Sequence, residues 1–296
     1  MKRSTLLRFR LNFILLLSLV LALMAGGVAL ASEPLTPARQ TPIWRDLDAL
    51  ALRDNDLGRR IVPKKYRLLT ADMAALDALL AQAPLENSLT AQQAPLVLSL
   101  PLPDGRMGRF TLEESPIMAP ALAAKFPEIK TYRGFGLDDP NASARFDRTP
   151  TGFHGLILSA RGTIYIDPHL VGDDSIYVSY YKKDFGTPDK VALVETLLDR
   201  PEAEPPLRPQ STLSTGPTRR TYRLAVAANG EYSAYHNGGT ADIFPVLAAI
   251  TTSINRVSGI YEREVAIRLE LVGNNDQIIF TNAATDPYNG GTSDLF

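Results

Sequence analysis

The chain has no cysteine, only three histidines and a single tryptophan in 296 residues. Without cysteine there is no disulfide framework and no thiolate to hold a metal, so whatever folds must be held by core packing. The histidines His154, His169 and His236 never fall at i, i+4 spacing. No two of them share one helix face, and the pattern H-E-x-x-H is missing. So are G-x-x-x-x-G-K-[ST], G-x-G-x-x-G and G-x-S-x-G, which leaves no phosphate loop, dinucleotide loop or serine-nucleophile elbow. Neither sign of charge is in excess: 31 Lys+Arg against 32 Asp+Glu give a net charge of −1. That balance argues against nucleic acid, whose binding rests on clustered Lys and Arg.

The N-terminus is richer in signal. Lys2, Arg3, Arg8 and Arg10 precede an uncharged stretch from Leu11 to Ala31, densest in apolar residues from Phe13 to Met24. Ala29-Leu30-Ala31 then offers a small-x-small site before Ser32, which predicts a signal peptide over residues 1–31 cut between Ala31 and Ser32. The rival is an uncleaved anchor, because 21 uncharged residues can span a bilayer core of about 30 Å. The Ala25-Gly26-Gly27 break and the Ala-x-Ala site favour cleavage. The expectation is therefore a secreted protein with no stable membrane span once the leader is gone. Its loss moves the net charge from −1 to −5 and leaves more chain than one core usually serves.

Texture divides the remainder. Residues 32–93 read as a Pro- and charge-rich arm around Trp44, loosely structured to residue 60, then a short helix through Gln82 capped by Thr70 or Asp72 and ended by Pro84. Residues 94–199 carry short runs such as Leu96–Leu100, Arg109–Leu112, Ala144–Asp147, Phe153–Leu158, Thr163–Ile166 and Ser175–Tyr181. Turn residues separate them, which predicts an antiparallel β-rich domain. Residues 200–218 hold five prolines (201, 205, 206, 209 and 217) and read as an extended linker. It ends at Arg219-Arg220, a processing-site pattern that serves equally as two solvated charges at a strand start. In residues 219–296, Tyr222, Leu224 and Val226 alternate as a strand ending at Asn229-Gly230. A helix follows, with Asp242 as N-cap, Pro245 in its first turn and Gly259 as its C′ residue. A second strand shows Val265, Ile267, Leu269 and Leu271 on one face and Arg268 and Glu270 on the other, and Ile278-Ile279-Phe280 opens a third. This β-α-β order predicts a parallel pair, so the whole reads as α+β.

These segments resemble a known family. Residues 220–232 (Arg-Thr-Tyr-Arg-Leu-Ala-Val-Ala-Ala-Asn-Gly-Glu-Tyr) resemble the first strand of bacterial reprolysin-like, adamalysin-type zinc metalloproteases of the metzincin group. Residues 248–264 resemble their long first helix, and residues 271–282 (Leu-Val-Gly-Asn-Asn-Asp-Gln-Ile-Ile-Phe-Thr-Asn) the strand and turn after it. Upstream, Leu100–Arg106, Phe126–Gly134, Gly152–Gly155 and Tyr165–His169 resemble the pro-segment of the same proteins. The resemblance implies a pro-domain followed by the N-terminal part of a metalloendopeptidase domain over residues 219–296. It implies protein or peptide substrates and zinc in the full-length protein, held by H-E-x-x-H-x-x-G-x-x-H with the Glu as general base. None of those positions exists here, so no catalytic or metal residue carries over. The expectation is a precursor fragment that stops before its zinc site and is inactive alone. Latency through a pro-segment cysteine, common in animal relatives, cannot operate from residues that contain none.

Other candidates compete with plainer roles. His154 and His169, 15 apart, could meet on a metal but show no third ligand; as surface or hydrogen-bonded histidines they need none. His236 lies in a turn entering the helix, suited to capping. Asp138-Asp139 with Asn141, Asp173-Asp174 and Asn274-Asn275-Asp276 offer oxygens that suit calcium, and they are also ordinary turn formers. Glu262 and Glu264 flank Arg263 as a carboxylate pair or a solvated helix end. Asn141-Ala-Ser is a glycosylation sequon by letter only. The alternative to a protease precursor is a secreted β-rich binding or adhesion module, with Tyr177, Tyr180 and Tyr181 as a contact face. Oligomeric state is not legible.

Overall fold

A computed structural model describes residues 42–48, 61–170, 172–185 and 218–288. The leader with Ala31 and Ser32, and most of the linker, lie outside the described residues, as does the end of the chain from residue 289.

The elements up to residue 185 are β1 (Trp44–Asp46), β2 (Arg67–Ala71), α1 (Met73–Leu80), α2 (Leu89–Gln93), β3 (Leu96–Pro101), β4 (Met107–Glu114), α3 (Pro120–Ala123), β5 (Lys130–Phe135), β6 (Ser143–Thr149), β7 (Gly152–Ser159), β8 (Gly162–Leu170) and β9 (Asp173–Tyr181). Turn chemistry explains the hairpins. Asp104 and Gly105, with φ at +89°, reverse the chain between β3 and β4, and Gly152, at +124°, starts β7 after Pro150. The strands form one sheet in the order β1-β2-β9-β8-β7-β6-β5-β4-β3, and every neighbouring pair is antiparallel.

This sheet curls until its two ends nearly close. The Ser179 hydroxyl on β9 donates to the Pro101 carbonyl on β3 at 2.8 Å. Arg67 on β2 donates to the carbonyls of Leu102 and Arg106 at 3.2 and 2.8 Å. Alternate residues point inward and supply a core of Leu98, Leu100, Phe110, Leu112, Phe146, Phe153, Ile164, Ile166 and Tyr177. Helix α1 plugs the interior with Leu76 and Leu80. Its cap is Asp72, whose carboxylate accepts from the Ala75 amide at 3.0 Å. Trp44 does not lie in a loose arm. It is 6% exposed, and its ring sits 5.3 Å from Tyr177 and 5.6 Å from Phe153. Three residues are too few to show a period, yet one indole brings enough apolar area to anchor a strand. Tyr177 and Tyr180 are likewise core residues rather than a contact face.

From residue 218 the elements are β10 (Arg220–Leu224), α4 (Gly230–Asn237), α5 (Phe244–Val265) and β11 (Ile267–Leu271). Strands β10 and β11 pair in parallel, and a bridge from Ala228 to Ile279 begins a third strand. The other edge of β11 is taken by the β4–β5 connection: the Leu271 amide donates to Ile117 O at 2.7 Å, and the Ala119 amide donates to Leu271 O at 2.9 Å. Met118, Leu122 and Ile129 of that connection share one apolar cluster with Val246, Leu247, Ile250 and Leu271. All described residues fall within one compact unit, Pro42–Phe296.

Several expectations for this segment are corrected. Gly259 is not a helix stop. Helix α5 runs past it to Val265 and ends at Ala266, a non-glycine residue in the left-handed region with φ at +56°. Helix α4 replaces the expected turn; Asn229 caps it by accepting from the Tyr232 amide at 3.0 Å. Arg268, on the face opposite Leu269 and Leu271, is only 4% exposed, because Glu86 and the Pro116 carbonyl of the sheet domain take its guanidinium.

Candidate functional site

Helix α5 has two working faces. Val246, Leu247 and Ile250 feed the apolar cluster under β11. Thr252, Asn255, Arg256, Gly259 and Glu262 recur at helical spacing on a second stripe, and every one is polar or glycine. That stripe lies on the outer face of the sheet. The two-residue period of β6 puts Ala144 and Phe146 inside, so Arg145 and Asp147 point out. The same rule puts His154 of β7 and Asp167 and His169 of β8 on the outer face. These polar groups are buried because the helix covers them: Arg145 is 5%, Asp147 1%, Asp167 1% and His169 4% exposed.

The contacts form a ladder along the helix. Thr252 donates its hydroxyl to Asp147 at 2.8 Å; the same carboxylate oxygen meets His154 Nδ1 at 3.0 Å. The Asn255 amide donates to Phe146 O at 3.0 Å. Arg256 reaches Asp167 at 2.5 Å and Gly155 O at 3.3 Å, with its guanidinium 5.0 Å over the Tyr165 ring. Opposite Gly259 a Cβ would stand 2.5 Å from Cγ of Arg145. The missing side chain is what lets that arginine pass to its partners, Glu262 and the Ser115 hydroxyl.

At the far end of the stripe Glu86 gathers three arginines. It pairs with Arg268, with Arg133 at 2.8 Å and with Arg219 at 3.6 Å. Burial pushes the Glu86 carboxyl up, but the fields of Arg268, Arg133 and Arg219 together with the Ser115 hydrogen bond outweigh it and hold it below its ordinary value. Burial dominates at Arg145 and lowers its pKa despite Glu262. Arg256 is raised, since Asp167 and Asp147 overcome its desolvation.

The polar stripe is incompletely satisfied. Asp147 Oδ2, Asn255 Oδ1, Arg256 Nε and Glu262 Oε1 are buried without a hydrogen-bond partner. Each such atom costs about 1–3 kcal/mol, which offsets much of what the neighbouring hydrogen bonds contribute.

Two cavities open beside the ladder. One of about 290 Å³ is lined by His154, His169 and His236 together with Asp167, Tyr235 and Arg256. All three histidines of the chain therefore meet at one junction, a convergence that spacing along the sequence did not reveal for His236, which sits in the last turn of α4. The other, of about 260 Å³, is lined by Arg133, Arg145, Arg219, Arg263 and Glu262.

The remaining candidates are dispersed. Glu262 is not a solvated helix end but Arg145's partner. Asn275 is fully buried and bridges the Val226 backbone, accepting from its amide at 2.8 Å and donating to its carbonyl at 3.1 Å. Asp276 holds Lys125 at 2.8 Å, Asp138 holds Arg109 at 2.6 Å and Asp174 meets Arg148 at 3.2 Å. These oxygens are engaged with cations and backbone. Arg219 lies in the Glu86 and Glu262 cluster, and Arg220 opens β10, its amide donating to Ala266 O at 2.9 Å. What the sequence reading missed was Glu86, Arg145, Asp147 and Asp167. For Arg145, Asp147 and Asp167 the available signal was polar residues at strand positions together with an unusually polar helix stripe; Glu86, in a turn between α1 and α2, carried none.

A strand, a long crossover helix and a parallel second strand, with a bridge to a third, make residues 218–288 a β-α-β unit. Residues 218–295 match the metallo-peptidase family M12B, reprolysin-like, so this stretch is similar to that family. No curated protein matches the chain. The residues present do not fit a zinc ion: among the described residues no three His, Cys, Asp or Glu side chains are grouped closely enough to hold a metal, the three histidines of the larger cavity included. No helix among the described residues is long and apolar enough to cross a membrane.

Proposed function

We propose that the chain is the N-terminal portion of a secreted, zinc-dependent metalloendopeptidase precursor. Residues 1–31 direct export, and the curled sheet is the pro-domain. The linker through Arg219-Arg220 is the processing region, and residues 219–296 begin the catalytic domain. The observation that carries the reading is the family match over residues 218–295, joined to a β-α-β order of the right kind. Docking of the α5 polar stripe on the sheet supports a pro-domain role, since it sets the two parts in register before any cut. Zinc and the general base belong, on this reading, to sequence that residues 1–296 do not contain. These residues bind and shape; they do not cleave.

The test is peptidase activity. A longer protein carrying these residues should hydrolyse an unstructured protein substrate, lose that activity on chelation and regain it with zinc. Residues 32–296 alone should show none. Hydrolysis by residues 32–296, or activity indifferent to chelation, contradicts the reading.

A further inference from the structure

The junction between the sheet domain and the reprolysin-like segment has two parts of opposite character. Along α5 the contact is polar and carries the four buried atoms named above that lack a hydrogen bond, all of which regain water if the halves separate. At the β4–β5 connection the contact is apolar and backbone-to-backbone. Met118 and Leu122 are 5% and 0% exposed within the segment's own cluster. Phe126 lies 5.8 Å from Phe244, and Ile117 and Ala119 exchange two backbone hydrogen bonds with Leu271. Withdrawing this connection would expose the cluster to water and leave an open strand edge, both of which disfavour separation.

We propose that residues 115–129 are a retaining clamp, so that cutting the linker leaves the sheet domain bound to the reprolysin-like segment as a two-chain complex. Release then needs a second event, a cut within residues 115–129 or their displacement. The polar stripe along α5 sets register and contributes little to retention. The proposal rests on the pro-domain reading above and adds to it that linker cleavage does not by itself free the enzyme.

The test uses the full chain with a specific protease site placed in residues 200–217. After cutting, the two fragments should co-elute on gel filtration at ordinary and at high salt, since the clamp holds by apolar burial and backbone pairing and its one ion pair, Lys125–Asp276, is partly exposed. Cut Arg256→Ala, which weakens only the polar stripe, should co-elute as well, and cut Leu122→Asp should separate. Separation of the cut wild-type chain overturns the proposal, whether or not either variant folds. Failure of the underlying reading looks different: added sheet domain would leave the peptidase activity of the longer protein unchanged while the cut fragments still co-elute.

Discussion

At the scale of single residues, the junction turns on an atom that is absent. Gly259 lies in mid-helix, where glycine is disfavoured by about 1 kcal/mol against alanine, and its φ is helical rather than left-handed. Its value lies in space. Gly259→Ala would improve helix propensity yet place a methyl 2.5 Å from Arg145 Cγ, on a side chain 5% exposed and tied at its far end to Glu262 and Ser115. The crowding should win, with a net loss of about 1–3 kcal/mol, read as a lower denaturant midpoint. An unchanged or raised midpoint would mean that Arg145 moves aside freely and is no fixed part of the junction. The sequence alone favoured a helix stop at this glycine, because a C′ residue and a close-approach residue look identical in one sequence.

Among the elements, the β4–β5 connection does the work of a strand without being one. Ala119 has φ at −56°, an angle proline shares. Ala119→Pro therefore deletes the amide donor to Leu271 O and little else, and it should cost about 1–3 kcal/mol through the stranded buried carbonyl. Faster hydrogen exchange at the Leu269 and Leu271 amides would report it, and unchanged protection would show that this pairing is incidental. The Glu86 cluster adds a pH signature. Its carboxyl is held below its ordinary value of 4.5, so its contribution is complete above that pH. It is lost as pH falls through the lower folded value. The junction should loosen as pH falls below that ordinary value, with Glu86→Gln abolishing that part of the acid response. An identical acid profile in the variant would assign the loss to other carboxylates. The hairpins β3–β4, β6–β7 and β8–β9 and helix α1 were legible because period-two runs bounded by Gly, Pro and Asp are local signals. Strand β1 was too short to show a period. The polar stripe of α5 reads as a solvated face until the sheet that buries it is placed.

For the molecule as a whole, composition set terms that the fold meets. With no cysteine to brace it, the sheet domain curls nearly shut around an aromatic core anchored by Trp44, Phe153 and Tyr177. The reprolysin-like segment borrows part of its core from that domain rather than closing one of its own. The family likeness was legible from extended runs of sequence. The shared core was not, since its parts lie more than a hundred residues apart: Met118 and Leu122 on one side, Val246 and Leu271 on the other. Scanning calorimetry of residues 32–296 asks most directly whether the two parts are thermodynamically one. A single cooperative transition, with calorimetric and van't Hoff enthalpies in agreement, is the predicted result. Two resolved transitions, with the sheet domain and residues 218–296 melting independently, would contradict the account.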